Sequence, residues 1–182
     1  MNWKILDSEY LYKETWFTIR KDTCETAEGK IISPYYVYEF PTWVTAVALT
    51  EDRQVVMVRQ YRHAIQQTIL EIPGGCVDAT DKSFNEAIAR ELLEETGYQF
   101  KTYEYLGKIS PNPSTNNNFM HMYLATGGIK IQSQNLDFNE EIEVELYSLD
   151  QLKAMVRNNE ILQALHVTAI VYALAKLGEI NL

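Results

Sequence analysis

Arg90-Glu91-Leu92-Leu93-Glu94-Glu95 places three carboxylates within five positions, in a stretch whose spacing predicts a helix over residues 84–96. With Phe84 at zero and about 100° per residue, Ala87 falls at about −60°, Ile88 at about 40° and Leu92 at about 80°. Glu91 then lies at about −20° and Glu95 at about 20°, on the apolar stripe, with Glu94 at its edge at about −80°. An unpaired carboxylate on an inward face costs several kcal/mol, so something positive must meet these acids. Two partners are open at this point. One is a salt-bridged structural helix neutralised by Arg90 and Lys82; the other is a divalent cation shared by carboxylates one turn apart. Upstream, Pro73-Gly74-Gly75 forms a loop that can bring backbone carbonyls close to an ion and to an anionic ligand.

The elements that must position these residues follow from patterning. Ser83 and Glu86 form an S-x-x-E start to the helix, and Gly97 is placed to stop it. Strand-like runs precede it at 16–20 and 35–40, with a turn at Glu28-Gly29-Lys30, and then at 44–49, 55–61 and 69–72. Others follow at 103–109, 119–125 and 143–147, with a Pro- and Asn-rich loop over 111–118, and helical patterns at 150–156 and 160–177. Strands and helices alternate irregularly, so the fold class expected is α+β: a mixed sheet sandwiched between helices, preceded by a small N-terminal antiparallel sheet. The division expected is residues 1–41 for that sheet and 42–182 for the main domain.

Composition narrows the function. The chain has 182 residues, 46% hydrophobic and 23% charged, which fits a folded chain with one core and excludes disorder or a disulfide miniprotein. Against 25 Asp and Glu stand 16 Lys and Arg, a formal charge of −9. A surface this acidic repels phosphate backbones and argues against a nucleic-acid partner. A small anionic substrate requires a bound cation or local arginines at its site. Cys24 and Cys76 have no metal-ligand or redox spacing, and the run 161–177 is broken by polar residues short of a membrane span. The start of the chain carries no basic and apolar leader, and the expectation is a cytoplasmic protein with no membrane partner.

Gly75 through Tyr98 resembles the Nudix box of Nudix hydrolases, G-x5-E-x7-R-E-U-x-E-E-x-G-U with U apolar, and its second half matches at every fixed position. The first half departs: Gly75 and Arg90 are one residue further apart than in the pattern, and Lys82 stands where the pattern has Glu, with Asp81 adjacent. Val55-Val56-Met57-Val58-Arg59-Gln60-Tyr61-Arg62, Leu70-Glu71-Ile72-Pro73-Gly74-Gly75, Glu140-Glu141-Ile142-Glu143-Val144 and Asn159 to Ala164 are similar to runs of the ADP-ribose pyrophosphatase branch.

The resemblance implies a Nudix-type α/β/α sandwich and hydrolysis of the pyrophosphate bond of a nucleoside diphosphate sugar, ADP-ribose first, with Mg2+ or alternatively Mn2+. It implies Glu91 and Glu95 as principal metal ligands, Glu94 as a partial or second-ion ligand, the Gly74 carbonyl as a backbone ligand, and Arg90 as the residue orienting the glutamates. Glu140, with Glu141 second, is the implied general base; Arg62 and, more weakly, Arg59 the phosphate-binding arginines. Trp16 is matched to base stacking and Pro113 to the branch's substrate-side proline. The asparagines around Pro113 are free, on sequence, to bond another terminal group. A homodimer through the aromatic-rich N-terminal sheet is also implied. The alternatives are a pyrophosphatase for another nucleoside diphosphate derivative, or a catalytically silent metabolite-binding sensor, favoured only by Lys82.

Overall fold

A computed structural model describes residues 2–14 and 16–181. The chain divides into two compact units, Met1–Thr42 with Ser110–Phe119, and Trp43–Ile109 with Met120–Leu182.

The first unit is an antiparallel three-stranded sheet in the order β1 (Lys4–Glu14), β2 (Phe17–Glu25), β3 (Ile31–Glu39). Gly29, with φ of 78°, makes the left-handed turn between β2 and β3 that the sequence signals. The segment 110–119 is fastened to β3, where Tyr38 N–H donates to Thr115 O (2.7 Å) and Asn117 N–H to Tyr38 O (3.2 Å). Its asparagines serve their own chain. Asn112 Oδ1 accepts from Ser114 N–H (3.2 Å), Asn117 Oδ1 from Phe40 N–H (3.3 Å), and Asn118 Nδ2 donates to Pro41 O (2.9 Å).

The second unit is built on an eight-stranded mixed sheet. Its strands are β4 (Trp43–Thr50), β5 (Val55–Arg62), β6 (Gln67–Glu71), β7 (Gly74–Cys76), β8 (Tyr98–Gln99), β9 (Thr102–Ile109), β10 (Met120–Lys130) and β11 (Ile142–Tyr147). β10 runs parallel to β4, and the other pairings are antiparallel. Alternation along β4 and β10 feeds two cores. Val44, Ala46, Ala48, Tyr123 and Ala125 pack with Ala87, Ile88 and Leu92 of α1 (Phe84–Thr96). Val47, Leu49, Met122 and Leu124 pack with Leu152 of α2 (Leu149–Arg157) and with Ala169, Ile170, Ala173 and Leu174 of α3 (Ala164–Lys176). The result is the expected α/β/α sandwich.

Besides β1 and β8, which lie outside the expected strand runs, three local features differ from the sequence expectation. Pro73-Gly74-Gly75 reads as a breaker, yet Gly74–Cys76 pairs with β4, because tertiary pairing overrides the low strand propensity of glycine. The last helix begins at Ala164 and not at residue 160, since Asn159 takes a left-handed φ of 58° and Gln163 caps the helix by accepting from Leu165 N–H. The S-x-x-E box forms by half: Ser83 Oγ accepts from Glu86 N–H (3.1 Å), but the Glu86 carboxylate accepts from Lys82 N–H (2.9 Å), one residue upstream of the cap.

Candidate active site

α1 turns its acids as the helical period requires. Glu95 is 4% exposed and Glu91 9%, whereas Glu94 is part exposed at the edge of the same face. Facing them is the β6–β7 corner. Thr45 Oγ1 donates to Pro73 O (3.0 Å), fixing the corner to β4, and Gly74 N–H donates to Glu95 Oε2 at 2.8 Å. Glycine is obligatory at Gly74, and at Gly75 a side chain would displace the Glu91 carboxylate. Gly74 has φ of 152°, and a Cβ on it would lie 2.2 Å from Val44 O; a Cβ on Gly75 would lie 2.6 Å from both Glu91 carboxylate oxygens.

Arg90 organises the acids. Its Nη1 donates to Glu91 Oε1 (3.0 Å) and Glu94 Oε2 (2.9 Å), and its Nη2 to Cys76 O (2.9 Å). On its other side, Nε and Nη2 grip Asp81 at 3.2 and 2.9 Å, a two-pronged pairing that holds Asp81 below the usual carboxylate range. Asp81 therefore supplies the carboxylate on Arg90 that Lys82, one position on, does not.

Burial dominates the electrostatics. Desolvation pushes Glu91 up to about 7, against the lowering influence of Arg90 and reinforced by Glu94 and Glu140. Desolvation also raises Glu95 well above the carboxylate range; the Gly74 N–H and Arg62 oppose it, and Glu91 and Glu140 add to it. Glu140 thus lies within electrostatic reach of both buried acids, and Arg62 of Glu95. Glu140 is half-buried in the loop before β11 and Glu141 is exposed.

Arg62 ends β5, with its guanidinium on Glu71 Oε2 (Nε at 2.8 Å), and Glu71 is 1% exposed. Behind Glu71 lies His166 of α3, with Nδ1 3.8 Å from Glu71 Oε1; among the described residues that nitrogen has no hydrogen-bond partner. Arg59 instead pairs with Glu145, which also receives the Tyr147 hydroxyl. Trp16 and Pro113 belong to the N-terminal unit, Trp16 strongly exposed at 72% and Pro113 exposed within the 110–119 segment.

Among the described residues no three carboxylate, thiol or imidazole groups converge on one point; Arg90 bridges Glu91 and Glu94 while Glu95 turns to the Gly74 N–H. The donor set nevertheless suits a hard divalent cation: carboxylate oxygens that burial alone leaves poorly compensated, beside a corner kept free of any Cβ. Glu71, His166 and Gln134, whose amide reaches Glu95 O at 2.7 Å, were not signalled as site residues by sequence. For Glu71 the cues were an acid inside the apolar run Ile69-Leu70-Glu71-Ile72 and the similarity of Leu70 to Gly75 to a run of the pyrophosphatase branch.

This sandwich, with an acidic helix facing a glycine corner, is that of a Nudix hydrolase, and the chain belongs to that family: the NUDIX domain model matches residues 40–165. The nucleoside diphosphate sugar hydrolase N-terminal domain model matches residues 3–38. An ADP-ribose pyrophosphatase of Bacillus subtilis (strain 168) is 27% identical over 170 residues, 93% of this chain and 91% of that protein. One of Mycobacterium tuberculosis is 26% identical over 93% of this chain and 82% of that protein. A methanol dehydrogenase activator of Bacillus methanolicus is 28% identical over 93% of this chain and 91% of that protein. A solved structure of an ADP compounds hydrolase superposes with a TM-score of 0.82 at 22% identity, covering 99% of this chain and 98% of that one, which shows the shared fold.

Proposed function

We propose that the protein hydrolyses the pyrophosphate bond of a nucleoside diphosphate sugar, with ADP-ribose the preferred substrate and AMP and ribose 5-phosphate the products. The observation that carries this reading is the pair of buried acids, Glu91 and Glu95, turned to the Gly74–Gly75 corner, with Glu140 within electrostatic reach of both and Arg62 of Glu95. The nucleoside diphosphate sugar hydrolase match over residues 3–38 and the two ADP-ribose pyrophosphatase relatives support the substrate class.

Glu91, Glu95, Glu94 and the Gly74 carbonyl would hold the divalent cation, Mg2+ or Mn2+. When bound, it supplies charge neutralisation at the phosphates and acidification of the attacking water. Arg90 keeps Glu91 and Glu94 in register. Arg62, steadied by Glu71, pairs with phosphate oxygens, and Arg59 is a second-choice contact because Glu145 already occupies it. Glu140, or failing it Glu141, takes the proton from the attacking water. Trp16 and Pro113 are further substrate contacts in this reading, and the active form is a homodimer.

The test is hydrolysis by purified protein with Mg2+ against a panel of nucleoside diphosphate sugars, with products separated. AMP and ribose 5-phosphate from ADP-ribose at the highest kcat/KM are expected. A kcat/KM for another nucleotide sugar about tenfold higher replaces the substrate and keeps the pyrophosphatase; no hydrolysis of any member favours the metabolite-binding reading. A relative from Streptomyces rubellomurinus named CMP-5'-(N-acetyl-N-hydroxy-3-aminopropyl)phosphonate hydrolase, 24% identical over 87% of this chain and 75% of that protein, is the reason to extend the panel to nucleotide derivatives other than sugars.

A further inference from the structure

The loop between β10 and β11 carries Glu140, and it is fastened to the end of α1 on both sides. Ile131 N–H donates to Gly97 O at 2.9 Å and Asn135 N–H to Glu94 O at 2.9 Å. Between these two, the side-chain amide of Gln134 donates to Glu95 O at 2.7 Å and to Ile142 O at 2.9 Å. Both acceptors are backbone carbonyls, so the site demands a group with two hydrogens on one nitrogen at that reach. A carboxylate of equal length has no hydrogen to give, and an apolar side chain leaves both carbonyls unpaired.

The two carbonyls belong to informative residues. Glu95 presents one of the buried carboxylates, and Ile142 opens β11 two residues after Glu140. Gln134 therefore ties the backbone that presents Glu95 to the backbone that presents Glu140. Segment 135–141 is a closed excursion whose first end is bonded to α1 through Asn135 and whose second is bonded to Gln134 through Ile142 O. Its tip is braced by Asp137, whose O accepts from Glu140 N–H (3.0 Å) and whose N–H donates to Glu140 Oε2 (3.0 Å). Capping the helix end would explain the bond to Glu95 O. It does not call for the bond to Ile142 O.

We infer that Gln134 is a positioning residue of the reaction: its amide fixes the separation between Glu140 and the carboxylates of α1. The inference rests on the reading of Glu140 as the proton acceptor. Gln134 touches neither substrate nor cation in this account and acts through Glu140 alone.

The test is a double-mutant cycle of wild type, Gln134→Leu, Glu140→Gln and the double variant, assayed on ADP-ribose with saturating Mg2+. It is accompanied by amide hydrogen exchange over 135–141. Gln134→Leu is expected to lower kcat about tenfold with KM within about twofold, and to do so less than about twofold in the Glu140→Gln background. Exchange over 135–141 is expected to quicken while the buried face of α1 is unchanged. An equal fold-loss in both backgrounds, an unchanged kcat, or unchanged exchange overturns the inference and leaves Glu140 as the base. Full activity of Glu140→Gln overturns the reading of Glu140 and the inference with it. If Gln134→Leu does not fold, Gln134→Asn, which keeps both hydrogens but is one carbon short, is judged in the same cycle by the same criteria.

Discussion

Glu95 and Glu91 do different work although both are buried on one face. Glu95 already accepts the Gly74 N–H, a bond that an amide oxygen reproduces, so Glu95→Gln keeps the corner and loses only the charge. Its expected effect is a fall in kcat of at least ~10², about 2.7 kcal/mol of transition-state stabilisation, with an unchanged melting temperature. Undiminished turnover would remove the proposed ligand role. Glu91 lends itself to a pH experiment. Burial raises it from the ordinary carboxylate range to about 7, so over that interval the native state retains a proton that the unfolded chain has released. Its contribution to stability is present in acid and is lost as pH rises through about 7. Without added cation, the wild type should lose melting temperature relative to Glu91→Gln between about pH 5 and pH 8. Added Mg2+ should restore it most at the upper end, since the cation takes the deprotonated acid. Parallel curves for the two proteins would show that the Glu91 proton is not linked to folding.

At the level of elements, α1 was legible to the residue because period, start and stop agree: apolar positions at helical spacing, Ser83 before them and Gly97 after. Its inward acids were legible for the same reason. The glycine corner was not readable as a strand, and neither Glu71 nor Gln134 as part of the site, because each depends on what lies across space and not on neighbours in sequence. α3 brings the plainest such case. The run 161–177 contains His166 among apolar residues, and the fold buries it behind Glu71, where desolvation, with the charge of Arg62 adding, lowers it to about 3. Here the sign reverses. Between about 3 and the ordinary histidine value near 6.5 the unfolded chain holds a proton that the native state lacks, so stability is lost as pH falls through that window. His166→Gln should flatten the acid side of a melting-temperature profile. A variant as acid-sensitive as the wild type would place the acid-labile group elsewhere. Because Glu91 and His166 act in opposite directions over part of this range, each variant must be compared with the wild type at every pH.

On the scale of the whole molecule, the N-terminal unit has apolar surface it cannot cover. Every described residue of β1 is exposed, among them Ile5, Leu6, Tyr10, Leu11 and Tyr12, and Trp16 follows at the turn. The pairing of β1 with β2 slips between Ile5 and Asp7 and again between Tyr10 and Tyr12, irregularities that twist an edge and discourage open-ended strand addition. In the proposed homodimer a second copy would cover the sheet with a matching surface and two-fold closure. A chain of net charge −9 repels its copy, so the proposed association would be apolar and should tighten as salt screens that repulsion. Light scattering at micromolar concentration is expected to give twice the 21.1 kDa chain mass, more completely at higher ionic strength. Leu6→Glu combined with Tyr10→Glu, which adds charge to the exposed strand, should yield the 21.1 kDa species with the second unit still folded. A wild-type mass of 21.1 kDa in both low and high salt would rule the dimer out.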